Sequence, residues 1–166
     1  MSREQKIAGR LLVVDDTPAH LKMLAGALLQ SGFEVETAEG GTQALAAADR
    51  NPPDLVLLDV DMPQPDGYET CRRLKAQERF ANTPIIFLSG LSNVADKVAG
   101  FAAGGVDFVT KPFDIEEVKV RISTHLELAS GKLLGAAVRT ARKALFDAHV
   151  PDWGNFLLFG DDALAL

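Results

Sequence analysis

With 166 residues, 47% of them hydrophobic and 24% charged, the chain has the composition of a soluble globular protein and the length of one domain with a core. A net charge of −6 argues against a general nucleic-acid binder, and the single cysteine, Cys71, excludes an internal disulfide framework. Because no signal-peptide pattern and no apolar run of membrane-spanning length is found, we expect a cytoplasmic protein without direct contact to nucleic acid or membrane.

The first half of the chain predicts two strands, each followed by a helix. Residues 10–14 are a β-rich apolar run that ends in two aspartates. Thr17-Pro18 then begins a helix, because proline is tolerated in the first helical turn. The alternating pattern of 33–37 predicts a second, half-exposed strand, and the Ala-rich residues 40–50 predict a second helix.

The second half of the chain predicts three more strands. Four apolar residues, 55–58, lead directly into Asp59, and a loop rich in Pro and Gly follows. A short apolar run bounded by turn residues is typical of a strand that is covered on both faces. The other strands are predicted at 84–88 and 106–109, and the helices at 67–77, at 92–103 and from Asp114 onward.

Five strands alternating with five helices favour an α/β fold, a five-stranded parallel sheet that is doubly wound. In such sheets functional residues gather beyond the carboxyl ends of the strands. Each strand-end residue alone has an ordinary explanation, such as a helix cap or a solvated charge. Together, four of the five predicted strand ends carry complementary groups: Asp15, Asp16, Asp59, Ser89 and Lys111.

The strand-end groups are suited to phosphoryl transfer. Three converging carboxylates repel one another, so we expect a divalent cation among them, and hard oxygen ligands favour Mg²⁺. A carboxylate can attack phosphorus to form an acyl phosphate. This reaction needs positioning and charge neutralisation, which Mg²⁺ and the ammonium group of Lys111 would supply. The hydroxyl group of Ser89 would then hydrogen-bond a phosphoryl oxygen.

The strand ends belong to motifs that occur in a set order. They are Val13-Val14-Asp15-Asp16, Leu57-Leu58-Asp59 with Met62-Pro63 and Asp66-Gly67, Leu88-Ser89-Gly90, and Thr110-Lys111-Pro112-Phe113. In this order they resemble the receiver domain of two-component response regulators, over residues 9–129. The resemblance implies a flavodoxin-like fold and a signalling switch that catalyses only its own phosphorylation and dephosphorylation.

The resemblance also implies a role for each acidic residue. Asp59 would accept a phosphoryl group from a phosphohistidine on a sensor histidine kinase or a phosphotransfer protein. Mg²⁺ would be held by Asp16, Asp59 and the backbone carbonyl of Asp61. Asp15 would assist largely through water.

The remaining motif residues would contact or sense the phosphoryl group. The resemblance implies that Ser89 and Lys111 bind phosphoryl oxygens and that the Lys111–Pro112 peptide bond is cis. Phe108 matches an aromatic switch position, whose ring turns inward, together with Ser89, after phosphorylation. At this position Phe stands where Tyr is frequent, so a hydroxyl-mediated contact to a partner is absent.

Two other functions stay open at this stage. Asp59 and Asp61 have the DxD spacing of haloacid-dehalogenase-like phosphatases, and residues 160–162 offer a late acidic pair. That alternative leaves Asp15-Asp16 unexplained and has no use for Lys111-Pro112. A receiver-like module that only docks to partners, without phosphorylation, is the third hypothesis, and no residue of the chain favours it.

Residues 130–166 are predicted to form a helical C-terminal extension or a truncated linker of unassigned role. The apolar cluster of Trp153 and residues 156–159 is expected to pack on the domain, on a partner or on a second copy. We expect any homodimer to form through this extension or through the face of the fourth helix, fifth strand and fifth helix. Without an output-domain signature, the chain is expected to be a stand-alone receiver with an extension or a fragment of a longer protein.

Overall fold

A five-stranded parallel sheet forms the centre of the fold. The computed structural model describes residues 8–90 and 94–130. In chain order the strands are β1 (Arg10–Val14), β2 (Glu34–Ala38), β3 (Leu55–Asp59), β4 (Ile85–Ser89) and β5 (Asp107–Thr110). Their spatial order is β2-β1-β3-β4-β5, and all neighbouring pairs are parallel. The predicted sheet is confirmed.

A helix follows each strand along the chain. These helices are α1 (Pro18–Gln30), α2 (Gly41–Arg50), α3 (Gly67–Lys75), α4 (Val94–Ala103) and α5 (Ile115–Ser130). The side chain of Asp66 caps α3 by accepting a hydrogen bond from the Glu69 N–H. Within the described part of the chain, no helix is both long and apolar enough to cross a bilayer.

Both faces of the sheet are buried, which explains why its central strands are apolar throughout. Successive side chains of a strand point to opposite faces, so each apolar strand supplies both layers of the core. One face packs under α2, α3 and α4 and includes Leu12, Val14, Val56, Leu58, Phe87, Ala44 and Cys71. The other packs under α1 and α5 and includes Leu11, Val13, Leu55, Leu57, Ile86, Leu24 and Ile122.

The structure differs from the sequence prediction in small ways. Strands β2, β4 and β5 each begin one residue later than predicted. A short 3₁₀ turn, Glu78–Phe80, follows α3 and buries the ring of Phe80, which the sequence analysis did not predict. Lys75 donates hydrogen bonds to three backbone carbonyls in and after this turn. The predicted extension over 131–166 lies outside the described residues.

A buried ionic cluster joins β5 to α5. Arg121 Nη1 donates to both carboxylate oxygens of Asp107, at 2.9 and 3.1 Å, and both side chains are fully buried. His125 Nε2 lies 2.9 Å from Asp107 Oδ2, and Glu117 accepts a further hydrogen bond from Arg121. Asp107 Oδ1 also accepts the backbone N–H of Phe108. The charged groups therefore tie α5 to the strand that carries the predicted switch residue.

We expect Asp107→Ala to lower the free energy of unfolding by about 3 kcal/mol, because it leaves the Arg121 guanidinium buried without this carboxylate. Glu116→Ala is the matched control, since it removes only an exposed pair with Lys119 and should cost less than about 1 kcal/mol. Urea denaturation of both variants measures the difference. Equal losses of unfolding free energy in the two variants would show that burial of the ionic cluster adds nothing to stability.

Candidate functional site

The order of the strands brings the predicted acidic residues together. Strands β1 and β3 are neighbours, so the carboxyl ends that carry Asp15 and Asp59 lie side by side. Lys111 follows β5 and reaches across this edge, with Nζ at 3.2 Å from Asp15 Oδ2 and 3.1 Å from Asp59 Oδ1. One ammonium group is thus shared by two buried carboxylates.

Asp16 completes a cluster of three carboxylates. One oxygen from each of Asp15, Asp16 and Asp59 lies within 4.8 Å of the others, with Asp15 and Asp59 buried and Asp16 exposed. The donor set fits a hard divalent cation, since it consists of oxygen ligands with an open, solvent-facing side. With three negative charges close to a single lysine, the cluster can accept further positive charge.

Burial is the main influence on the pKa of Asp59, the candidate phosphoacceptor. Burial raises the pKa of Asp59 to about 6; the hydrogen bond from Lys111 opposes this rise, and the charge of Asp15 adds to it. Burial alone would lower the pKa of Lys111, but Asp59 and Asp15 outweigh it and raise that pKa. At neutral pH the site therefore contains an ionised Asp59 and a charged lysine.

Asp15 is held on both of its oxygens. Its Oδ1 accepts the Thr17 N–H at 2.9 Å, and its Oδ2 lies 3.1 Å from His20 Nδ1 in addition to Lys111. Burial raises the pKa of Asp15, but the Thr17 amide, Lys111 and His20 outweigh burial and bring it below the ordinary value. Asp15 is therefore a fixed anion, whereas Asp59 can gain or lose its proton near neutral pH.

The loop after β3 packs closely on Asp59. The backbone N–H of Asp61 donates to Asp59 Oδ1 at 3.2 Å, while the side chain of Asp61 is exposed. Gly67 begins α3 against this loop, and a Cβ at that position would clash with the backbone oxygen of Asp59. The glycine of the Asp66-Gly67 motif therefore lets α3 approach the strand end.

Ser89 and Phe108 are both buried, on neighbouring strands. The Phe108 ring packs against Phe87 and Phe101, with ring centroids 5.1 and 5.7 Å away. Gly100 of α4 faces this ring directly, and a Cβ there would clash with it. The Lys111–Pro112 peptide bond is cis, and so is the Gln64–Pro65 bond.

Comparison with known proteins identifies the fold and the motifs together. The family model described as the response regulator receiver domain matches residues 11–123, which include every strand end discussed above. The chain belongs to this family. The matched residues also contain the shared Lys111 and the three clustered carboxylates, so the receiver motifs and the measured geometry coincide.

Curated relatives and solved structures agree with this assignment. The receiver is 39% identical over 117 residues to the DNA-binding dual master transcriptional regulator RpaA of Synechocystis sp., covering 70% of this chain and 48% of the relative. It is 36% identical to response regulator PleD of Caulobacter vibrioides, covering 94% of this chain and 36% of the relative. A putative response regulator from Chloroflexus aurantiacus is 36% identical with a TM-score of 0.68, covering 71% of this chain and 97% of that one.

Two conclusions follow from these matches. The chain spans about half, or less, of the length of the curated relatives just named. The haloacid-dehalogenase-like alternative is wrong, because the family match and the relatives are those of response regulators. The late acidic pair of residues 160–162, on which that alternative drew, lies outside the described residues.

His20 and Gly100 are functional candidates that were not predicted from the sequence. His20 stands five residues after Asp15, in the first turn of α1, and this spacing is the signal that would have placed it beside the site. Gly100 interrupts an Ala-rich helix, where a glycine suggests close packing without saying against what. Neither residue belongs to the receiver motifs quoted above.

We expect Gly100→Ala to destabilise the protein by about 1–3 kcal/mol, because the added methyl group must displace the Phe108 ring or α4. Gly26→Ala is the control. Gly26 lies inside α1 with open space around it, so the same change should stabilise the protein by about 0.5–1 kcal/mol. Urea denaturation gives both values, and a stabilised Gly100→Ala protein would contradict the close packing.

The raised pKa of Asp59 predicts a pH-dependent stability. Between about pH 4 and pH 6 Asp59 is more protonated in the folded protein than in the unfolded chain, so its contribution to stability falls as pH rises through this window. The side chain of Asp59→Asn cannot ionise, so the variant does not lose stability in this way as pH rises. In EDTA, the variant should be more stable than the wild-type protein by about 1–3 kcal/mol at pH 8, with the gap closing near pH 4. Urea denaturation at both pH values tests this prediction. A larger stability difference at pH 4 than at pH 8 would contradict it.

Proposed function

We propose that this receiver is a phosphorylation-dependent switch whose phosphoacceptor is Asp59. The observation that carries the proposal is the sharing of the Lys111 ammonium between Asp59 and Asp15. A buried carboxylate with one charged partner and two acidic neighbours is a nucleophile placed beside a cation site. We further propose that Asp16, Asp59 and the backbone carbonyl of Asp61 hold Mg²⁺, with Asp15 assisting through water.

The reaction proposed for Asp59 is an in-line transfer. Asp59 Oδ1 accepts the hydrogen bonds from Lys111 and Asp61, so we assign attack on phosphorus to Oδ2. The new O–P bond forms as the P–N bond of a phosphohistidine breaks, and the imidazole leaves with the electron pair. When bound, Mg²⁺ neutralises charge on the phosphoryl oxygens and on the carboxylates. Lys111 and Ser89 then hydrogen-bond the phosphoryl oxygens.

The proposed output is a change in the face formed by α4, β5 and α5. Phosphorylation at Asp59 would hold Ser89 and Phe108 in their inward positions and so favour one arrangement of this face. Val94, Val98 and Val120 are exposed apolar side chains on α4 and α5. Self-association through this face or through residues 130–166 stays a prediction.

Several sequence-based expectations also stay predictions. They are the domain bounds of 9–129 for the receiver and 130–166 for the extension, the cytoplasmic location, and a catalytic role limited to the receiver's own phosphorylation and dephosphorylation. A sensor histidine kinase or a phosphotransfer protein is the proposed phosphodonor. RpaA is described as DNA-binding, so nucleic-acid contact by a longer protein containing this chain is compatible with the family.

Acetyl phosphate with Mg²⁺ should add one phosphoryl group to the protein, because Asp59 is a buried carboxylate that is hydrogen-bonded to Lys111 and has a raised pKa, whereas the pKa of Asp15 is lowered. Intact-protein mass spectrometry measures the product. The mass shift should be lost in Asp59→Asn and in EDTA, while Asp61→Asn should keep it. Full labelling of Asp59→Asn would sink the assignment.

Asp16→Ala should weaken Mg²⁺ binding more than Asp15→Ala, since Asp16 is the proposed direct ligand and Asp15 already uses both oxygens within the protein. Asp15→Ala removes a group that acts through water and should weaken Mg²⁺ binding by about tenfold, whereas Asp16→Ala removes a direct ligand and should weaken it further. Isothermal titration calorimetry with MgCl₂ compares the two variants. Equal or reversed effects would count against the proposed division of roles.

A further inference from the structure

His20 is a second side chain that holds the buried Asp15 carboxylate. Its Nδ1 lies 3.1 Å from Asp15 Oδ2, the oxygen that also accepts a hydrogen bond from Lys111 at 3.2 Å. An ionised carboxylate can only accept hydrogen bonds, so Nδ1 is the nitrogen that carries the proton. Asp15 Oδ1 is occupied separately by the Thr17 N–H. Two donors from different elements therefore meet at a single oxygen.

Lys111 cannot serve Asp15 and a phosphoryl group equally well. The Asp59 carboxylate is only 1% exposed, and Lys111 Nζ lies 3.1 Å from its Oδ1. A phosphoryl group bonded to Asp59 therefore takes up space next to the ammonium group, which turns toward its oxygens. As Lys111 leaves, Asp15 Oδ2 loses one of its two donors while it stays buried. A buried acceptor without a donor is costly, so whatever remains at Oδ2 decides how readily Lys111 moves.

We propose that His20 is a positioning residue for the phosphorylation reaction. Its Nδ1–H stays hydrogen-bonded to Asp15 Oδ2, and this allows Lys111 to leave Asp15 and bind the phosphoryl group. The proposal rests on the proposed function, in which Asp59 is the phosphoacceptor. His20 acts through Asp15 and Lys111, without touching the reacting atoms.

The surroundings of His20 favour this role. The ring lies edge-on to Phe113, which follows Lys111-Pro112, with centroids 6.4 Å apart and an interplanar angle of 71°. The side chain is 38% exposed, so His20 lies at the border of the site. His20 contacts the loop after β1, which carries Asp15, and the loop after β5, which carries Lys111.

Asparagine and leucine substitutions separate the hydrogen bond from the bulk of the ring. In His20→Asn, the Nδ2 donor is as many bonds from Cβ as Nδ1 is in histidine, whereas His20→Leu places a methyl group there. Phe113→Leu is the packing control, because it removes the ring partner and leaves the hydrogen bond in place. Asp59→Asn is the control for the proposed function.

The experiment measures two affinities of the full chain by calorimetry, first for Mg²⁺ alone and then for beryllofluoride in saturating Mg²⁺. His20→Leu should bind beryllofluoride about threefold to tenfold more weakly, the range of one lost hydrogen bond, and bind Mg²⁺ within about twofold of wild type. His20→Asn and Phe113→Leu should bind both ligands as the wild-type protein does. The rate of labelling by acetyl phosphate at saturating donor should also fall in His20→Leu, and not in His20→Asn or Phe113→Leu.

Each other result overturns the proposal. Normal beryllofluoride binding by His20→Leu would show that Asp15 needs no second donor. Equal weakening in His20→Asn and His20→Leu, or weakening in Phe113→Leu, would assign the effect to packing of the ring. A matching loss of Mg²⁺ affinity would place His20 in the metal site and not in the release of Lys111. Labelling of Asp59→Asn would instead refute the proposed function, which is a different outcome.

Discussion

The site depends on one shared cation. Lys111 Nζ lies within 3.2 Å of oxygens from both Asp15 and Asp59, which are buried on adjacent strands. A single positive charge cannot neutralise two carboxylates, and Asp16 adds a third nearby. The protein therefore folds with an unbalanced negative charge at this edge. Burial is the main cause of the raised pKa of Asp59, and the charge of Asp15 adds to it. The excess of negative charge also fits the divalent cation proposed for this site.

The topology of the sheet creates this imbalance. Parallel strands bring all carboxyl ends to one edge, and the order β2-β1-β3-β4-β5 places β1 and β3 side by side at the point where the chain reverses direction across the sheet. Asp15 directly follows β1, and Asp59 is the last residue of β3. Lys111 comes from the outer strand β5, so it must span the end of β4 to reach them. The fold thus separates the lysine and the carboxylates in sequence while joining them in space.

The residues that end apolar strands could be predicted, because a strand buried on both faces is a short, continuous apolar run whose boundary is visible in the sequence. The alternation of strands and helices likewise gave the parallel sheet, with strand limits correct to within one residue. Side-chain partners that depend on the packing of a helix against the sheet could not be predicted. In the sequence, Asp107 reads as an ordinary polar residue of a strand and Arg121 as an exposed charge on a helix. Their buried ion pair is visible only once α5 is known to cover β5. The contacts of His20 and Gly100 could not be predicted for the same reason.

Gly100 and Gly105 leave the space that the rings of Phe87 and Phe108 fill. If the Phe108 ring turned toward solvent, neither glycine would have a side chain to fill the vacated volume. An empty apolar space costs free energy in proportion to its size, so core packing itself favours the inward ring. Under the proposed switch, the activity of the unphosphorylated protein would then depend on how well the Phe108 ring packs in the core, as well as on phosphorylation. Substitutions deep in the core, remote from the phosphoryl site, would set the background level of the signal.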